Sequence, residues 1–175
     1  MNRLLVFSLL LAMPAAAQDA KQDDMSNCPM HAQHVAQSHQ AAVEDHGDQA
    51  MGFPHDKTTH HFLMQVDGGA IDIAVNDPAD KTNATAIRSH LSQIATMFSN
   101  GDFSTPMFIH DGIPPGVTTM KLMKTVIHYT YEETPMGGRV RIKSEDPVAI
   151  AAIHDFLRFQ ITEHKTGDSL ETATR

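Results

Sequence analysis

The sequence predicts an α+β domain in which two ββα units lie side by side, forming a four-stranded antiparallel sheet with helices on one face. Three observations predict it. The string GGAIDIAVNDP at residues 68–78 returns as GGRVRIKSEDP at residues 137–147. Each copy is followed by apolar residues at helical spacing, in AIRSHLSQIATMFSNGD at 86–102 and AIHDFLRFQITEHKTGD at 152–168. Ile87 then matches Ile153, Leu91 matches Leu157, and Gly101-Asp102 matches Gly167-Asp168. Finally, Ile71, Ile73 and Val75 alternate with Ala70, Asp72 and Ala74, the period of a strand with one buried and one wet face. A single ββα unit cannot bury that apolar face alone, so each needs the other.

In chain order, residues 1–17 read as a secretory leader: Arg3 gives the positive start, Leu4 to Met13 the apolar core, and Ala15-Ala16-Ala17 the cleavage site. The apolar run is too short to span a bilayer, so the expectation is an exported chain, periplasmic or secreted, with no membrane span. Residues 18–52 are polar and are expected to be a flexible His/Met-rich tail with a short helix over 31–43. The α+β domain is expected over 53–168, its repeats at 60–102 and 125–168, with a short tail at 169–175. Strands are predicted at 60–67 and 70–75, turning on Gly68-Gly69, and at 125–132 and 139–144, turning on Gly137-Gly138. Helices are predicted at 83–98 and 147–164, the second opened by Asp146-Pro147. The stretch from 102 to 124 reads as irregular, with a short helix at 117–123.

Composition excludes several functions. The formal charge of −8 argues against nucleic acid and anionic membrane as partners, and the absence of tryptophan removes one stacking platform. No G-x-S-x-G elbow, H-E-x-x-H helix, phosphate loop or G-x-G-x-x-G is present, so whether the chain is an enzyme stays open, with the balance toward binding. One cysteine forms no internal disulfide and no C-x-x-C-H haem attachment.

What stands out is the run from Met25 to Met64. It holds seven of the twelve histidines (His31, His34, His39, His46, His55, His60, His61), Met30, Met51 and the lone Cys28. Imidazole, thioether and thiolate are the donors of soft and borderline transition metals, and the mixture suits copper, as Cu(I) or Cu(II). Haem held by His and Met, and zinc, stand behind copper as alternatives. The expected ligands are Cys28, Met30, His31 and His34 in the tail, then His55, His60, His61 and His110 as a second set in the domain. A periplasmic metal-transfer partner would complete such a role. His60 and His61 are neighbours on a strand and must point to opposite faces. His61 is expected to match His128 in the repeat. His110 sits in the irregular segment, where a rigid scaffold usually carries functional side chains.

Two resemblances follow from these strings. Cys28-Pro29-Met30-His31 resembles the CPMH core of heavy-metal-binding modules on copper-handling proteins, although Ser26-Asn27 stands where those carry Tyr and Ala32 where they carry Pro. Residues 51–168, with MGF, TTHHF, DGG, IRSHL, GDF before IHD, and IHDFLRFQITEH, are similar to a family of small exported bacterial proteins of unsettled function. The aspartate carbamoyltransferase label sometimes attached to such sequences finds no support, since the chain is about half the size needed and lacks S-T-R-T. The resemblance implies a folded domain and no activity.

Overall fold

The structure is a computed structural model that describes residues 29–173. The predicted leader at 1–17 and Cys28 lie outside those residues. Among the described residues no helix is long and apolar enough to cross a membrane.

Four strands, β1 (Thr58–Gln65), β2 (Gly68–Val75), β3 (Ile127–Thr134) and β4 (Gly137–Ser144), form one antiparallel sheet in the order β1-β2-β4-β3. Helices α1 (Pro29–Met51), α2 (Lys81–Ser99), α3 (Ser104–Ile109), α4 (Val117–Leu122) and α5 (Pro147–Glu163) pack mostly on one side of it. The α+β class and the four-stranded antiparallel sheet are as the repeat predicts. Each long helix starts on an aspartate: Asp80 accepts from the Asn83 N–H, and Asp146 from those of Val148 and Ala149, ahead of Pro147.

The glycine pairs do something other than turn. Residues 66–67 and 135–136 make the hairpin turns, while Gly68-Gly69 and Gly137-Gly138 open β2 and β4. These two strands meet at the centre of the sheet, Gly68 opposite Lys143 and Gly137 opposite Ala74. A Cβ on Gly68 would lie 2.3 Å from the Ile142 carbonyl oxygen, and one on Gly137 would lie 2.1 Å from that of Ile73. Close approach of the two hairpins selects glycine here, and the turn moves two residues upstream. On the wet face Arg139 clamps Asp72 at 2.6 and 2.5 Å, and Arg141 pairs with Asp67, so charge joins the hairpins as well.

The helices cross over. α2 packs chiefly on β3 and β4, whereas α5 packs on β1 and β2, so each unit's helix covers the other unit's hairpin. Two contacts at matching repeat positions mark the exchange. Arg88 of α2 donates to the Thr134, Pro135 and Gly137 carbonyls at the second turn. His154, its counterpart on α5, reaches the Gln65 and Gly68 carbonyls at the first turn, at 2.9 and 3.0 Å. The core between sheet and helices holds Ile87, Leu91, Phe98, Phe156, Ile153 and Leu157 with Val140 and Ile142.

Two elements exceed the sequence expectation. The helix expected at 31–43 runs from Pro29 to Met51 and stops at Gly52, whose φ of 76° suits a helix end. Only Val43 and Gly47 are buried along it; with Met51 they form one line at four-residue spacing that lies against the domain. α3 also occupies part of the stretch expected to be irregular. Asp102 accepts from the Ser104 N–H to start it, and Phe103 and Ile109 anchor it in the core.

Candidate metal site

At the end of β1 the sheet–helix layer is lined with histidine. A cavity of about 60 Å³ lies among β1, β2, α2, α3 and α5, with Met51 of α1 at its rim. His60 enters it from β1, His90 from α2, and Gln160 and His164 from α5, against walls of Phe62, Ile73, Leu91, Ile94 and Phe98. No lining residue is acidic. Met51, His60 and His164 also line an outer recess of about 220 Å³ under α1, where Glu44 and His55 provide polar walls. These three side chains therefore form the partition between a polar outer chamber and an apolar inner one.

The rings are close to one another. His60 and His164 stack with centroids 6.2 Å apart and planes 8° from parallel. His110 meets His164 edge-on at 5.1 Å, and Phe53 lies against both His60 and His90. The His60 Nε2 is 3.3 Å from the Met51 sulfur. A nitrogen and a thioether sulfur bound to one tetrahedral ion stand about 3.5 Å apart for bond lengths near 2.0 and 2.3 Å. The pair is therefore already at ligand spacing. Among the described residues no group of three or more His, Cys, Asp or Glu is arranged as a ready-made metal centre. A full shell would need His164 or His90 to turn toward the His60–Met51 pair.

Burial keeps these imidazoles neutral. It lowers His60 to about 4, helped by the neighbouring His90, His55 and His61, with Asp48 opposing. It lowers His90 to about 4, and His164 to about 3 with help from His110 and His60. His110 is lowered by burial too, and its bond to Gln160 works the other way. A neutral ring presents the lone pair that a metal takes. The Nε2 of His110 lies 3.2 Å from Gln160 Oε1, and its Nδ1 is buried with no partner. A histidine whose other nitrogen is held by an amide oxygen is set up as a ligand. Gln160, 4 % exposed, leaves its own Nε2 unpartnered as well.

Other histidines have ordinary partners. His39 bonds Glu163 at 2.6 Å, His55 bonds Asp48 at 3.0 Å, His61 bonds Asp168 at 2.8 Å, and His154 caps the first turn. Of the predicted ligands, His60 sits at the centre of the site, His110 beside it and His55 in the outer recess. His61 points away on the opposite sheet face, as strand alternation requires. Met30 is 77 % exposed, and His31 and His34 lie exposed on the same half of α1, apart from the cavity. The expected pairing of His61 with His128 does not hold, because the hairpin registers align His61 with Thr130 and His128 with Thr59.

Met51, His90 and His164 were not among the predicted domain ligands, yet the repeat carried a signal for the two histidines and for His60. Register and helix alignment match His60 with Tyr129, His90 with Phe156 and His164 with Phe98. At each of these three pairs an aromatic ring in one repeat is matched by an imidazole in the other. Comparison with protein-family models, curated proteins and solved structures found no match for this chain.

Proposed function

We propose that this is an exported metal-binding protein whose metal is copper, acting in the periplasm in tolerance, buffering or delivery. The observation that supports it best is the convergence of neutral imidazoles and a thioether on one small apolar cavity, with His60 and Met51 already at ligand spacing. The outer set, Met30, His31 and His34 on exposed turns of α1 together with Cys28, would capture the ion. The inner set, Met51 and His60 with His164, His90 or His110, would retain it. Exposed donors on α1 suit exchange with a transfer partner, and buried inner donors suit storage.

Cavity size favours an ion over haem. A volume of about 60 Å³ accommodates an ion and a few waters, whereas drug-sized ligands occupy pockets of roughly 300 Å³ or more. Nothing in the cavity resembles an acid–base pair aimed at a substrate, so binding is the simpler role. The test is metal content of the protein purified from periplasm, followed by anaerobic Cu(I) titration against a competing chelator with the visible spectrum recorded. The expected result is tight Cu(I) binding without a Soret band. Absence of copper binding in both measurements would sink the proposal.

A further inference from the structure

We infer that the inner cavity selects a univalent soft cation, Cu(I) or its analogue Ag(I), over divalent Zn(II) and Cu(II); this rests on the metal reading above. Charge is the first ground. The donors lining the cavity are imidazole, thioether, amide and hydroxyl groups, and none of the lining residues carries a negative charge. The nearby carboxylates are engaged outside it: Glu163 with His39, Asp48 with His55, and Glu44 with Gln40. Desolvation cost rises with the square of the charge, so a divalent ion loses about four times as much on entering the same apolar walls. It finds no anion there to offset the loss.

Coordination is the second ground. Structural zinc sites close with four ligands, usually thiolate or imidazole. Here one nitrogen–sulfur pair is set at 3.3 Å, and no group of three among the described His, Cys, Asp and Glu residues is ready-made. None of those zinc ligand types is a thioether, so the pair set here does not open a zinc shell. Donor softness is the third. The Met51 sulfur lies on the partition between the two chambers beside His60 and His164, so an ion entering from the recess meets a soft thioether there together with imidazole. Glu44 and His55 in the recess would then serve to gather cations of any charge, and the partition would sort them.

The experiment uses the mature chain under anaerobic conditions, with Ag(I) and Zn(II) as probes and the imidazole resonances of His60 and His164 as reporters. Those resonances are assigned by His60→Gln and His164→Gln. Ag(I) should shift both and bind roughly 100-fold more tightly than Zn(II), whose effects should be confined to exposed histidines such as His31 and His34. Met51→Leu should weaken Ag(I) by about 10- to 100-fold. Met51→Glu, which places an anion on the partition, should raise Zn(II) affinity and narrow the preference. Equal shifts of His60 and His164 by both ions would overturn the selectivity and leave the metal reading standing. No shift by either ion, in a protein that also binds no Cu(I), would overturn both.

Discussion

Two clusters of ring side chains, matched position by position through the repeat, have opposite chemistry. In one, Tyr129 of β3 meets Phe98 of α2 edge-on at 5.8 Å, and Phe156 closes on Phe98 at 6.0 Å. In the other, the matching positions are His60, His164 and His90, with His60 stacked on His164 at 6.2 Å. The first arrangement shows what the fold itself asks for in these slots, namely large flat apolar rings. Imidazoles put there bring polar ring nitrogens into an apolar layer, as Tyr129 brings a buried hydroxyl without a partner into the other cluster, and each costs stability unless something compensates. By contrast, Arg88 and His154 differ in type yet do the same work of capping a hairpin turn. Divergence at the turn caps preserves structure, whereas divergence in the aromatic slots replaces carbon rings with imidazoles.

The largest effect should come from erasing the difference. A His60→Tyr, His90→Phe, His164→Phe variant gives the histidine cluster the rings of its repeat equivalents, and the cavity of about 60 Å³ gives the larger rings some room. Chelator competition should show inner-site Cu(I) affinity reduced by about 100-fold or more, while circular dichroism shows the fold retained. Retained affinity would move the site to the α1 donors. A Met30→Leu, His31→Ala, His34→Ala variant should do the reverse, lowering capacity and leaving the tight site intact.

Acid should expose the same asymmetry. His60, His90 and His164 titrate near 4, 4 and 3 when folded, against an ordinary 6.5. Between those limits the unfolded chain binds protons that the folded chain does not, so stability is full above pH 6.5 and falls as pH drops toward 4. Each ring contributes a loss on the order of 3 kcal/mol across that window. Urea midpoints at pH 7.5, 6 and 5 should decline steeply for the parent and much less for the aromatic triple variant. Parallel curves for the two proteins would show that the imidazoles are protonated when folded, contrary to their burial.

This contrast marks how far the sequence could be read. Alternation in Ile71, Ile73 and Val75, the Asp146-Pro147 start and the matched helices foretold strands, helices and pairing, because these depend on local periodicity. Gly68-Gly69 misled, since a glycine pair serves a turn and a close strand crossing equally well and only the β2–β4 pairing decides. Of the site, His60 and His110 were legible by type and place. His90 and His164 were not, because the exchange of α2 and α5 between hairpins brings them to His60, and no local pattern encodes that exchange. Met51 was missed because a thioether at a helix end looks like any core filler until its sulfur is seen beside His60.

The glycine pairs sharpen the comparison at smaller scale. Gly69 and Gly138 are repeat equivalents, and each faces the equivalent leucine, Leu157 or Leu91. A Cβ on Gly69 would lie 2.2 Å from Leu157 Cδ1 and 2.4 Å from the Leu63 carbonyl oxygen, so backbone must move. On Gly138 it would meet only side chains inside 3.4 Å, Tyr131 at 2.9 Å and Leu91 at 3.2 Å. Gly69→Ala should therefore cost about 3 kcal/mol and Gly138→Ala about 1 kcal/mol in denaturant unfolding. Equal costs would mean that the first hairpin yields as easily as the second.

The smallest effect concerns Asp102 and Asp168, the aspartates that close the two repeats. Asp102 turns inward along the chain to start α3. Asp168 instead reaches β1, where its carboxylate accepts from the Phe62 N–H at 2.9 Å, the Thr166 hydroxyl at 2.7 Å and the His61 ring at 2.8 Å. Beyond it the chain follows the edge of β1 until the Ala173 N–H donates to the Met64 carbonyl. Burial raises the pKa of Asp168, but these three donors outweigh it and hold the carboxyl below its ordinary value. Its stabilisation is thus present above about pH 4 and is lost as pH falls further. Asp168→Ala should cost about 1 kcal/mol and speed hydrogen exchange at the Phe62 amide. Ag(I) binding should not change, because His61 and His60 lie on opposite faces of β1. A coupled loss of metal affinity would show that the edge holding His61 also sets the aim of His60, and the two faces could no longer be treated as independent.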